Sequence, residues 1–145
     1  MPIIVVARLR LRDPSLLDEF FTHAVAVLEQ AQKMDGNLDA DALAEAHDVW
    51  WDVTAWQSRA QIEVLLNTEP HLSTRGLVDR LCDEASFVDW EQDSATLPDW
   101  QTSWRRLVAD GRSAPLTNPS DANETRAFPR SSRATRQRDL IAGSG

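Results

Sequence analysis

Tyrosine is missing from this chain altogether, cysteine occurs once and glycine only five times in 145 residues. Each shortage removes a class of chemistry. Without tyrosine, no phenol side chain is available to hold or deprotonate a substrate. The lone Cys82 has no partner for an internal disulfide, in keeping with a reducing compartment, and its neighbours Val78 and Leu81 point to a buried structural thiol rather than a reactive one. The few glycines form no phosphate-cradling loop, which argues against nucleotide binding. His47, His71 and Cys82 have no close ligand spacing, and neither a His-x-x-x-His nor a Cys-x-x-Cys pair occurs, so no metal site is expected. No apolar run approaches the roughly 20 residues of a membrane span. The Ile3-Ile4-Val5-Val6 start lacks the basic flank and cleavage site of a signal peptide, and a cytoplasmic protein with no membrane partner is expected.

What is present is enough apolar and aromatic material, 42% hydrophobic residues including six tryptophans, to build the core of one domain. Charge is divided along the chain: the net is −10 through Arg112 and +2 in the 33 residues beyond it. An acidic body repels phosphate backbones and anionic lipid, so a nucleic-acid partner is not expected for it.

Residues 3–11 alternate as a strand with Ile3, Val5, Ala7, Leu9 and Leu11 on one face and Ile4, Val6, Arg8 and Arg10 on the other. Asp13-Pro14 then opens a helix whose apolar stripe runs from Leu16 through Phe20, Phe21 and Leu28 to about Met34, where Gly36 or Asn37 takes the left-handed stop. His23 lies at the edge of that stripe as a boundary residue. Residues 38–47 read as a strand whose small alanine face suits a close helix, hairpinned to a second strand over Val49–Trp56. In that second strand Val49, Trp51, Val53 and Ala55 oppose Trp50, Asp52, Thr54 and Trp56. Ser58-Arg59-Ala60-Gln61 has the capping-box pattern of a helix start, Asn67–Pro70 interrupts the helix, and it resumes towards Cys82. A last strand is expected over Ala85–Gln92. A short helix follows with Trp100, Trp104 and Val108 at four-residue intervals, too apolar to be left in water. From Ser113 the composition turns polar and predicts a mostly disordered tail, with Phe128-Pro129 as an anchoring point.

The order strand, helix, strand, strand, helix, strand is the split repeat of a ferredoxin-like α+β domain with an antiparallel four-stranded sheet. Within it, Asp52-Val53-Thr54-Ala55-Trp56-Gln57-Ser58, then Asn67-Thr68-Glu69-Pro70-His71 and the strand from Glu84, resembles the dimeric α/β-barrel superfamily of antibiotic-biosynthesis monooxygenases. The resemblance covers residues 1–95. Residues 96–112 resemble the helical extension of a bacterial branch, and 113–145 form the tail. Membership implies a homodimer and a pocket between sheet and helices for a hydrophobic aromatic molecule. It also implies, in the quinone-forming members, oxygenation that needs no metal or flavin cofactor. Face-to-face dimerisation is expected independently from an outer face carrying Ile4, Val6, Trp50 and Trp90, which is too apolar for water.

Two residues stand out as catalytic candidates. His71 combines the family position with a helix N-terminus, which favours a neutral imidazole able to accept a proton. Asp52 sits among aromatics, and burial would raise its pKa as a general base requires, unless it pairs with Arg8 or Arg10. Trp50, Trp51, Trp56 and Trp90 are candidate substrate-binding residues that serve equally well as core or interface packing. Arg75, one turn beyond His71, could steady an anionic oxygen. The expected function is a cofactor-independent monooxygenase-like enzyme. The alternative is a non-catalytic dimeric protein that binds a small molecule or a partner with the same fold.

Overall fold

The computed structural model describes residues 1–45, 48–125, 128 and 135–136. In chain order it runs β1 (Ile3–Leu11), a 3-10 turn (Pro14–Leu16), α1 (Leu17–Lys33), β2 (Asn37–Glu45) and β3 (Val49–Trp56). It continues with α2 (Arg59–Leu66), a second 3-10 turn (His71–Ser73), α3 (Thr74–Leu81), β4 (Cys82–Glu91) and α4 (Trp100–Asp110). Two short edge strands, β5 (Arg112–Ser113) and β6 (Thr135–Arg136), flank the short helix α5 (Asp121–Thr125). The strands form one antiparallel sheet in the order β5-β4-β1-β3-β2-β6, and its central four are the ferredoxin-like arrangement.

Local chemistry explains most boundaries. The Asp13 carboxylate accepts the Ser15 N–H at 2.8 Å and starts the first turn. Gly36 ends α1 at φ 86°, against Gln61, where a Cβ would strike that side chain. Ser58 departs from the capping-box expectation, because its hydroxyl donates to the Gln61 side-chain oxygen rather than accepting a backbone N–H. The helix breaks after Leu66 and resumes at His71, as Pro70 requires. The last strand begins at Cys82, three residues before the expected Ala85, because α3 passes straight into it without a loop. Ala46 and His47, the end of the expected second strand, lie outside the described residues.

The two faces of the sheet are covered by different parts of the chain. On one, α1, α2 and α3 bury Leu11, Phe20, Leu28, Ala40, Ala42, Trp50, Leu81 and Cys82, with Ile3, Ala31, Trp56, Ile62 and Leu65 as a second group. The alanine face of β2 admits α1 closely, as its small side chains imply. The other face carries Ile4, Val6, Leu43, Trp51, Val53, Ala55 and Val88. This is the face expected to meet a second subunit, and it is covered by the chain's own Trp100 and Leu107 of α4 and by Phe128. Trp50 is not on it: its ring meets Phe20 and Phe21 of α1 edge-on, which assigns it to the helix side and Trp51 to the outer one. The fully buried line of α4 is Trp100, Ser103 and Leu107, with Trp104 only partly covered. Of the tail expected to be disordered, β5, α5, Phe128 and β6 are among the described residues, and most of its remainder is outside them. No helix among the described residues is long and apolar enough to cross a membrane.

Candidate functional site

Strand alternation sends Trp50 and Asp52 to the helix side together, where they place a carboxyl with a strongly raised pKa beside an indole. The Asp52 carboxylate is enclosed by protein but retains a little accessible surface. Its neighbours across the sheet are Ala7 on β1 and Ala42 on β2, neither of which can supply a charge. Among the described residues one side-chain hydrogen bond reaches it, from the Trp50 indole N–H at 3.3 Å. Burial raises its pKa to about 6, and the indole offsets only part of that.

Beside this pair, Trp50 packs against Phe20 with centroids 5.9 Å apart and against Phe21 at 6.1 Å, both edge-to-face. The three rings, with Leu11, Leu17, Ala44, Asp48 and Val49, line a crevice of about 20 Å³, room for roughly one water molecule. Phe21 is exposed at its mouth.

His71 and Arg75 form a separate group at the start of α3. The His71 backbone N–H donates to the Gln30 side chain of α1 at 3.0 Å. Its Nδ1 is buried without a hydrogen-bond partner among the described residues. Burial, then the positive charge of exposed Arg75, holds the imidazole below its ordinary pKa, so it is neutral at pH 7. No hydrogen bond among the described residues joins His71 to Asp52.

The remaining tryptophans sit elsewhere. Trp56 is fully buried under α2, its indole N–H on the Thr54 hydroxyl at 2.8 Å. Trp51 and Trp90 are on the outer face beneath α4, with the Arg106 guanidinium 4.6 Å from the Trp90 ring centre. That face also holds a buried ion pair, Arg8 to Glu84 at 2.7 Å, with Arg10 reaching the second Glu84 oxygen at 2.9 Å. The Phe128 ring lies 3.9 Å from the Arg8 guanidinium. Burial alone would raise the Glu84 carboxyl, but hydrogen bonds from Arg8 and Arg10 bring it below its ordinary value. On the helix side Cys82 is buried and its thiol is pushed up to about 12, chiefly by burial, so it stays protonated. Among the described residues no group of three or more His, Cys, Asp or Glu is arranged to hold a metal ion.

The fold compares closely with solved structures. Rv0793 from Mycobacterium tuberculosis superposes with a TM-score of 0.58 at 20% identity, over 66% of this chain and all of that one. A protein described as an antibiotic biosynthesis monooxygenase gives 0.57 at 15% identity, over 63% and 99%. The fold is antibiotic-biosynthesis-monooxygenase-like. A variant of SnoaB, a cofactor-independent oxygenase from Streptomyces nogalater, gives 0.53 at 15% identity, over 68% and 98%. These proteins are matched almost end to end, so about a third of this chain has no counterpart in them. No family model matches the chain, and no curated protein does.

Sequence reasoning named Trp50 and Asp52 but not their aromatic neighbours. The signal for Phe20 and Phe21 was present in the stripe of α1, without any indication of which tryptophan they would meet. The Arg8–Glu84 pair joins residues 76 apart in the chain, and no local pattern announces it.

Proposed function

We infer that this protein is a cofactor-independent monooxygenase-like enzyme acting on a hydrophobic aromatic or polyketide-like small molecule, with Asp52 as general base and Trp50 as the residue that orients it. The observation that carries this reading is Asp52 itself, an enclosed carboxylate with no countercharge among the described residues, a pKa of about 6 and an aromatic cluster at its side. A base with that pKa is ionised at neutral pH and remains a competent proton acceptor.

The substrate class follows from the aromatic rings that line the crevice and from Asp52, which is joined to it through the Trp50 indole. Asp52 takes a proton from an activated ring methylene, and the resulting carbanion is delocalised over the substrate. Dioxygen accepts its electrons: the methylene carbon becomes a carbonyl with one oxygen atom, and the other leaves as water with the two hydrogens the methylene has lost. A substrate of this size needs more space than the crevice provides, so Phe20 and Phe21 must swing aside on binding. His71, kept neutral by burial and by the positive charge of Arg75, is a secondary candidate for proton transfer in this reading.

The competing reading is a non-catalytic small-molecule-binding or interaction protein, favoured by the lack of any tyrosine. Oxygen consumption by purified protein incubated with anthrone- or naphthol-type phenols, without added metal, separates the two. Turnover that disappears in Asp52→Asn supports the enzyme. Binding without oxygen uptake overturns it in favour of the binding protein.

A further inference from the structure

An antiparallel four-stranded sheet with helices on one side has three surfaces through which another chain can add: the bare face and two edges. In this protein described residues within 97–125, together with Phe128 and β6, reach all three. The face is met by Trp100, Ser103 and Leu107 of α4, by Phe128 on the Arg8 guanidinium, and by partly buried Leu97, Trp104 and Ala122. The Trp104 indole N–H bonds the Phe128 carbonyl at 3.1 Å and ties α4 to the segment that follows it.

The edges are met by hydrogen bonding rather than by apolar cover. At the β4 edge, β5 pairs Ser113 with Ser86 and Arg112 with Phe87, and the Ala114 N–H continues the ladder to the Ala85 carbonyl at 2.8 Å. The Ala85 N–H is taken by the Asn123 side-chain oxygen at 2.8 Å, and the Ser120 N–H reaches the Asp83 carbonyl at 2.8 Å. Thr117 bonds both oxygens of Asp79 through its N–H at 2.7 Å and its hydroxyl at 2.8 Å, anchoring the crossing to α3. At the opposite edge, β6 pairs with Leu43 and Ala44 of β2.

We propose that the C-terminal segment is a strap that takes the place of a second subunit, so that the protein is a monomer. Three independent facts support this. The apolar face whose exposure would drive dimerisation is covered. The β4 edge is bonded to β5 and Asn123, and the β2 edge is capped by β6 at Leu43 and Ala44, which shortens the edge open to strand addition. The structures with the same fold lack a counterpart to about a third of this chain, so the additional length is available for this task.

Sedimentation or light scattering of the full chain gives the mass, and a disulfide trap reports whose sheet the strap covers. Ser86 and Ser113 are directly paired across the β4–β5 ladder, so Ser86→Cys with Ser113→Cys places two thiols opposite each other. The expected result is a mass of 16.3 kDa at micromolar concentration and an oxidised product that stays one chain on a non-reducing gel. A doubled mass with an interchain disulfide would mean that straps are exchanged between two copies. A doubled mass with an intrachain disulfide would mean that a second copy docks elsewhere. Failure of the trap to close in folded protein would mean that the strap does not lie on this edge. Any of these three overturns the proposal.

Discussion

On the helix side of the sheet Asp52 is enclosed with one indole N–H as its partner, whereas on the strap side Glu84 is enclosed between Arg8 and Arg10. Burial acts on both carboxyls in the same direction. The outcomes are opposite because arginine hydrogen bonds outweigh desolvation at Glu84 and nothing of that strength does at Asp52. A buried charge that is neutralised by neighbours serves the fold. One left without countercharge is unfavourable to stability and available for chemistry.

Removing one partner breaks this contrast most severely on the strap side. Glu84→Ala leaves Arg8 buried and unpaired, and urea unfolding is expected to report a loss of about 3–5 kcal/mol. Replacing both partners with apolar residues, Arg8→Met with Glu84→Leu, should recover most of that loss. On the helix side the largest effect falls on turnover: Asp52→Asn is expected to lower it by roughly 10²–10⁴-fold in oxygen-uptake assays, with the fold retained.

The sign of the pH dependence sharpens the same comparison. Asp52 has a folded-state pKa of about 6 against an ordinary value of 3.8, so between these values the folded protein holds a proton that the unfolded chain has released. Stability is therefore lost as pH rises through this window, and the penalty is complete above about pH 6. Asp52→Asn should melt at about the wild-type temperature at pH 3.5 and higher at pH 8. The gain is on the order of 2–3 kcal/mol at most, because residual exposure screens part of the penalty. Glu84 has the opposite sign: its depressed pKa contributes stability above its unfolded value that is lost on acidification.

The smallest effect is expected at His71. Its Nδ1 has no hydrogen-bond partner among the described residues and its anchoring contact to α1 is through the backbone, so His71→Ala should change stability by less than about 1 kcal/mol. Turnover should fall by less than the roughly 10²-fold typical of a lost acid or base. A larger fall would promote His71 to the catalytic role.

Much of the fold was legible because β1, α1 and β3 carry periodic apolar patterns, and Asp13, Gly36 and Pro70 punctuate them with known backbone chemistry. The register of β3 followed from alternation, but two adjacent tryptophans are equally apolar, so alternation alone could not say which faced the helices. Contact with Phe20 and Phe21 decides it. The start of β4 was displaced because no turn residues separate it from α3. The strap was the least legible part, since its attachment rests on backbone bonds and on a few anchors such as Asn123 and Phe128 set in polar sequence. Phe128 stood out as an apolar residue in that segment, but composition weighs the polar majority and misses an anchor such as Asn123.

The ionisation of Asp52 tests the central claim most directly. Carbon-13 NMR of its carboxyl as a function of pH should give a midpoint near 6 in the folded protein. A midpoint at or below the ordinary aspartate value would contradict the account, since Asp52 would then be solvated or paired and without the character of a poised base.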